Sequence, residues 1–153
     1  MRSQWCGFGL FVGGVLLVAV PVDAKRPVEK ITVTGDTLSS PVEITDEPTL
    51  RMANPWFGTF IDGNAPAAKQ RDNHGVIYEV TLHARLRSPN LGPIYRFHYA
   101  PGVEGERGLV YLPGSGEAWH RENLSIIIRD NHDGKWNPAS SEWDTRMRAA
   151  LAR

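Results

Sequence analysis

The chain has 153 residues, and its 17 basic residues balance 17 acidic ones, so the formal net charge is zero. This balance disfavours nucleic acid as a partner, because nucleic-acid-binding domains carry a clustered positive charge. A chain of this length buries about two thirds of its unfolded surface on folding, which is enough for one stable core without covalent staples.

Residues 1–24 have the layout of a secretory signal peptide. Arg2 precedes an apolar stretch over residues 8–20, and Pro21 precedes a site of small residues that ends at Ala24. The apolar stretch is shorter than the about 20 residues of a spanning helix. We therefore predict cleavage after Ala24, a secreted or periplasmic protein with no membrane span after cleavage, and a single globular domain over residues 25–153. Cys6, the only cysteine, leaves with the signal peptide, so the mature chain is cysteine-free.

The first elements of the mature chain are predicted to be a hairpin and a short helix. Residues 29–35 and 41–44 alternate apolar with polar side chains, and Gly35-Asp36 between them is typical of a turn. The acidic pair before Pro48 then favours a short helix that Asn54-Pro55 ends.

The middle of the chain has the clearest strand pattern. Over residues 76–87, every second residue is apolar, which predicts one buried face and one polar face. Residues 88–92 are typical of a turn, and residues 93–99 resume the alternation. Residues 108–112 and 124–129 are further predicted strands, with a loop at residues 113–116.

The C-terminal end favours an amphipathic helix. Asn137-Pro138 and the pair Ser141 and Asp144 are helix-start signals, and the apolar residues that follow recur at helical spacing. The predicted fold class is α+β: a small, mainly antiparallel β domain with a short helix near residue 48 and a C-terminal amphipathic helix. A β-sandwich with a terminal helix is the alternative.

Two stretches of the sequence resemble a group of proteins. The first comprises residues 31–35, Leu38, residues 41–46 and Trp56; the second comprises residues 108–119, Asn123, residues 133–136 and Trp143. Together they resemble uncharacterised bacterial exported single-domain proteins that have no established activity. The resemblance implies an exported single domain and adds no chemistry.

The segment over residues 111–123 is the densest in groups that bind ligands. Tyr111 and Trp119 offer aromatic contact area, and Glu117 and His120 offer hydrogen bonds, which suits a carbohydrate or a peptide. The alternative is a connecting loop whose two rings close one end of the core. A basic patch could extend this site and bind an anionic glycan or a lipid head group; it comprises residues on the polar faces of two predicted strands, Arg85, Arg87 and Arg96. The alternative is that these are ordinary solvated residues.

Histidines raise an alternative, a metal site. His83 and His98 fall on the polar faces of predicted strands, and Glu79 could complete a set of three ligands for zinc. The chain has no H-E-x-x-H motif and no H-x-H pair. The residue pattern therefore predicts no metal and no cofactor, with these three residues as the alternative.

The function that these patterns favour is a non-enzymatic extracytoplasmic binding or accessory module. Export, the lack of a catalytic motif and the segment over residues 111–123 motivate this prediction. Its partner is an unidentified envelope or extracellular ligand or protein. The alternative is a small metal-dependent or carboxylate hydrolase acting on an envelope or extracellular substrate.

Overall fold

The computed structural model describes residues 27–55, 59–68, 75–85, 90–103, 105–120, 123 and 132–152. Within these ranges the elements are β1 (Lys30–Thr34), β2 (Val42–Ile44), α1 (Glu47–Met52), β3 (Tyr78–Arg85), β4 (Leu91–Ala100), β5 (Leu109–Leu112), β6 (Lys135–Pro138) and α2 (Ser141–Leu151). The strands form one antiparallel sheet in the order β2-β1-β3-β4-β5-β6. One sheet with two helices confirms the predicted α+β class over the β-sandwich.

The alternation in the sequence decides which face of each strand is buried. On β3, Tyr78, Val80 and Leu82 are buried, and the register places them opposite Tyr99, Phe97 and Tyr95 of β4. A side-chain period of two requires this arrangement in an antiparallel pair with one covered face. The prediction for β3 is therefore confirmed for its described part, although Val76 is 40% exposed and lies before the strand.

Strand β4 departs from the prediction at its start. Leu91 and Gly92 belong to the strand, so the predicted turn over residues 88–92 is wrong for its last two residues. The register between β3 and β4 shifts between Leu82 and His83: Leu82 is opposite Tyr95, whereas the next residue, His83, is opposite Pro93. Ile94 is thus an extra residue on β4, a bulge beside a proline that has no N–H to donate.

The core lies between the sheet and the helices. Phe60 stacks on Phe97 with ring centroids 4.7 Å apart, and Trp143 of α2 contacts both rings at 5.9 and 6.0 Å. Met147 and Ala150, one and two turns further along α2, are also buried in this cluster. The helical spacing in the sequence therefore predicted the buried face of α2.

Capping residues determine where both helices begin. Asp46 caps α1, because its carboxylate accepts from the Thr49 backbone N–H at 3.1 Å and from the Thr49 hydroxyl at 2.7 Å. In α2 the cap is Ser140, whose hydroxyl accepts from the Trp143 N–H at 3.3 Å. The predicted helix start at Asn137-Pro138 is wrong, because these two residues end β6, which pairs with β5.

A buried polar network ties α2 to the sheet. The Asp144 carboxylate accepts from the Tyr99 hydroxyl at 2.5 Å and from the Gly108 N–H at 3.1 Å. Arg148 donates to the other oxygen of Asp144 at 3.0 Å and to the Gly102 carbonyl at 2.8 Å. Asp144 thus stabilises the packing of α2 against the sheet, whereas the predicted start signal of Ser141 and Asp144 is replaced by the cap at Ser140.

Several predictions fall outside the described residues: the signal peptide, Trp56, the end of the predicted strand over residues 76–87, and the predicted strand over residues 124–129. In the ranges given above, no helix is long and apolar enough to cross a membrane.

Candidate functional site

The sheet face that turns away from the helices carries most of the predicted site residues. We call it the outer face. Its cross-strand rows are fixed by the register: Thr32 is opposite Thr81, which is opposite Arg96. The next row runs through Thr34, Glu79, His98, Tyr111 and Trp136, across five strands. Side chains directly opposite each other in antiparallel strands have Cβ atoms about 5 Å apart, so this row forms one continuous surface.

Three rings of this row contact each other. The ring centroids of His98 and Tyr111 are 6.1 Å apart with planes at 24°, and those of Tyr111 and Trp136 are 5.3 Å apart at 50°. All three residues are half-buried. Trp136 was not predicted here, because the sequence places it after a turn and before a helix-start signal.

The segment after β5 folds back onto the outer face. Glu117 accepts from the Tyr111 hydroxyl through Oε1 and from the Gly114 N–H through Oε2 at 3.1 Å. Backbone bonds from Glu117 N to Gly114 O and from His120 N to Glu117 O close the turn. The backbone of Gly116 has a φ angle of 91°, which residues with a Cβ atom rarely adopt. Glu117 is consequently held in one orientation while remaining exposed.

Hydrogen bonding and burial keep the Tyr111 phenol protonated. Burial, and next the bond to Glu117, raise the pKa of Tyr111 to about 12. The phenol therefore keeps its proton at physiological pH and donates a hydrogen bond to Glu117, which joins the carboxylate to the ring.

Trp119 packs over the β4 part of the face. Its ring lies 4.9 Å from the His98 ring at 62°, and the Arg96 guanidinium carbon lies 6.0 Å from the Trp119 ring centroid. That arrangement suits a cation–π contact of about 0.5–1 kcal/mol. Burial lowers the pKa of His98 below its usual 6.5, although Glu79 and Glu117 act in the opposite direction. His98 is therefore uncharged at neutral pH.

Asn123 holds the end of this segment against β4. Its side-chain Oδ1 accepts from the Arg96 N–H at 3.0 Å and its Nδ2 donates to the Arg96 carbonyl at 2.7 Å. A side-chain amide thereby takes the place of a neighbouring strand at this point of β4. Sequence reasoning missed this role, because a single Asn gives no local signal for a contact 27 positions away.

Two predicted site residues lie apart from these groups. Arg85 forms an ion pair with Glu29 at 3.0 Å, and it is four residues along β3 from Thr81, the neighbour of Arg96. At about 3.3 Å per residue, that separation is about 13 Å. Arg85 and Arg96 therefore do not form one basic patch. His120 lies within the loop, with its Nδ1 3.3 Å from the Pro113 carbonyl oxygen.

The proposed metal ligands are also distributed along the sheet. His98 is opposite Glu79, whereas the ring of His83 lies 3.0 Å from the Thr32 hydroxyl. His83 and Glu79 are four residues apart on β3, so the two imidazoles are separated by about 13 Å along the strand. Among the side chains that the structure describes, no three His, Cys, Asp or Glu residues lie close enough together to hold a metal ion.

A cleft of about 270 Å³ lies between β2 and α2. The charged residues that line this cleft already have partners or a structural role. Arg146 is bonded to Glu142 at 2.9 Å, Glu43 is paired with Lys30 at 2.7 Å, and Asp46 caps α1. The outer face thus offers the better site, which we define as the outer-face cluster of Glu79, Arg96, His98, Tyr111, Glu117, Trp119 and Trp136.

Comparison with known proteins adds no assignment to this geometry: no family model, no curated protein and no solved structure matches the chain.

Proposed function

We propose that this protein is an exported, non-enzymatic binding module whose ligand contacts the outer-face cluster. The observation that carries the proposal is the continuous aromatic surface from Trp119 through His98 and Tyr111 to Trp136, with centroid spacings of 4.9, 6.1 and 5.3 Å. Rigid aromatic side chains on strands give a ligand contact area at a small cost in conformational entropy.

The polar groups around the rings support recognition rather than packing alone. Glu117 is exposed and held by two hydrogen bonds, and Arg96 lies beside Trp119. Sites that bind small ligands combine apolar contact with a few fixed polar groups that orient the ligand. Here the strands β4, β5 and β6 fix the rings of His98, Tyr111 and Trp136, and the segment after β5 carries Trp119 and fixes the Glu117 carboxylate.

The export part of the proposal is supported by the leader pattern of residues 1–24. An exported protein with a fixed aromatic surface meets components of the envelope or the medium. We therefore propose an envelope or extracellular partner, a periplasmic or secreted location, and cleavage after Ala24.

The test is sedimentation of purified protein with the cell-envelope fraction of the cells that make it. Trp119→Ala and Arg96→Ala should each lower the bound fraction, because both change the β4 part of the cluster. Arg51→Ala is the control, since Arg51 is exposed on α1 and pairs with Glu47. If both cluster variants bind as the unchanged protein does, the ligand does not contact the β4 part of the outer-face cluster.

A further inference from the structure

We propose that the ligand is a neutral saccharide built of pyranose rings, and that it binds on Tyr111, Glu117 and Trp136, which we call the binding platform. This inference rests on the binding function proposed above and names its ligand class. It is carried by three features of the platform: its apolar surface, its fixed hydrogen-bond acceptor and its charge.

The apolar surface comes from two rings in register on neighbouring strands. Tyr111 is directly opposite Trp136, and their planes are tilted by 50°. The Trp136 carbonyl accepts from the Ala68 N–H at 2.8 Å, so β6 is hydrogen-bonded on its outer edge as well as to β5. A pyranose ring has one face of C–H groups, and half-buried rings that are held in place suit such a face.

The acceptor is the Glu117 carboxylate. A carboxylate has about four acceptor positions, and the bonds from Tyr111 and Gly114 use about half of them. Hydrogen bonds to an ionised acceptor are about twice as strong as neutral ones. A sugar has an apolar ring face surrounded by hydroxyl groups that donate hydrogen bonds. This pattern matches an aromatic surface bordered by an exposed carboxylate.

The charge of the platform favours a neutral sugar over an acidic one. Glu117 borders the platform, Glu79 lies opposite His98 in the same row, and His98 is uncharged at neutral pH because burial lowers its pKa. Lys135 alternates to the other face of β6. Arg96 lies at the far end of the cluster, beside Trp119. A uronate on the platform would therefore meet carboxylate charge.

The outer-face cluster also indicates an oligosaccharide rather than a single sugar. Beyond Tyr111 the aromatic surface continues through His98 to Trp119 at 6.1 and 4.9 Å. Further sugar units of an extended chain can occupy this part of the outer-face cluster. Affinity should therefore rise from a monosaccharide to a chain of several units.

The deciding experiment uses the envelope fraction in three forms: untreated, oxidised with periodate, which opens vicinal diols of sugars, and digested with protease. Periodate should lower binding at least about tenfold, equivalent to about 1.4 kcal/mol of binding free energy, while protease digestion leaves binding unchanged. Soluble neutral oligosaccharides of 1,4-linked glucan and mannan, whose sugar units carry vicinal diols, are then tested as competitors beside polygalacturonate.

The outcomes separate the two proposals. Protease-sensitive, periodate-resistant binding overturns the saccharide and leaves the binding function in place, with a protein as the partner. Competition by polygalacturonate alone overturns the neutral class. If untreated envelope binds no protein at all, the proposed function itself fails.

Substitutions test the platform directly. Trp136→Ala and Glu117→Gln should each weaken binding about tenfold, which corresponds to about 1.4 kcal/mol. Glu47→Gln is the matched control, because it removes the charge of another exposed carboxylate, on α1. Thermal unfolding of each variant checks that it folds. Unchanged affinity in folded Trp136→Ala and Glu117→Gln proteins overturns the assignment to the platform.

Discussion

Replacing Asp144 by alanine should destabilise the protein more than any other change to a charged residue of α2. Asp144 is 7% exposed and joins the Tyr99 hydroxyl, the Gly108 N–H and the Arg148 guanidinium. The substitution removes the acceptor of two buried donors and the partner of one cation. It also leaves a cavity between α2 and the β4–β5 pair.

The magnitude follows from these three contacts. Each buried donor left without an acceptor costs about 1–3 kcal/mol, and breaking a buried ion pair costs about 3–5 kcal/mol. The Arg148 side chain is 36% exposed and keeps its bonds to the Gly102 and Glu106 carbonyls, so its share is small. We expect a total loss of about 3 kcal/mol. For a domain of this size about 1 kcal/mol shifts Tm by about 4 °C, so Tm should fall by about 12 °C.

The assay is urea and thermal unfolding followed by tryptophan fluorescence. Glu142→Ala is the control, because Glu142 is an acidic residue of the same helix whose pair with Arg146 is exposed, and its loss should cost less than about 1 kcal/mol. In a double-mutant cycle, Tyr99→Phe should cost much less in the Asp144→Ala background than alone. A loss below about 1 kcal/mol for Asp144→Ala, or full additivity with Tyr99→Phe, would refute the network argument.

Three other predictions concern the outer face and the turn that covers it. Burial lowers the pKa of His98 in the folded state, so the unfolded state binds the proton more readily. The free energy of unfolding is therefore highest above the unfolded pKa of about 6.5 and declines as pH falls toward the lower folded value. His98→Gln should flatten this decline between about pH 7.5 and 5. A variant as steep as the unchanged protein in urea titrations at both pH values would contradict this. Asn123→Ala removes both hydrogen bonds to the Arg96 backbone and should lower the free energy of unfolding by about 1–3 kcal/mol. Hydrogen exchange at the Arg96 amide should become faster, and unaltered exchange there would count against the pairing of Asn123 with β4. Gly114→Ala should cost about 1–3 kcal/mol, because a Cβ there would lie 2.7 Å from the Gly134 Cα. The control is Gly63→Ala, whose added Cβ meets nothing within 4 Å and should leave Tm unchanged. Equal Tm values for the two variants would show that the close approach of Gly114 to Gly134 is not required.

The sequence predicted those parts of the fold in which a local pattern is enough. Alternation identified the buried face of β3, and helical spacing identified Trp143 and Met147 as the buried side of α2. Asp46 and Pro48 marked the start of α1, because the residues that cap a helix act on its own first turn. These features depend on contacts between near neighbours in the chain.

Local signals failed where a distant partner decides the structure. Asn137-Pro138 fits either a helix start or the end of a strand, and pairing with Leu109 and Val110 of β5 makes it the end of β6. Proline is tolerated there because it is the last residue of the strand. The cap of α2 shifted by one residue to Ser140, since Asp144 is engaged with Tyr99 in the core.

The candidate site shows the same division. The sequence by itself determined that Tyr111, Glu117 and Trp119 lie close along the chain, and that His98 and Arg96 share a polar face. Only the tertiary structure placed Trp136 beside Tyr111 and His98 opposite Glu79, and kept Arg85 and His83 away from the outer-face cluster. The physical reason is register: a period of two fixes which face a side chain occupies, whereas hydrogen bonding between strands and the bulge at Ile94 fix which residue it meets.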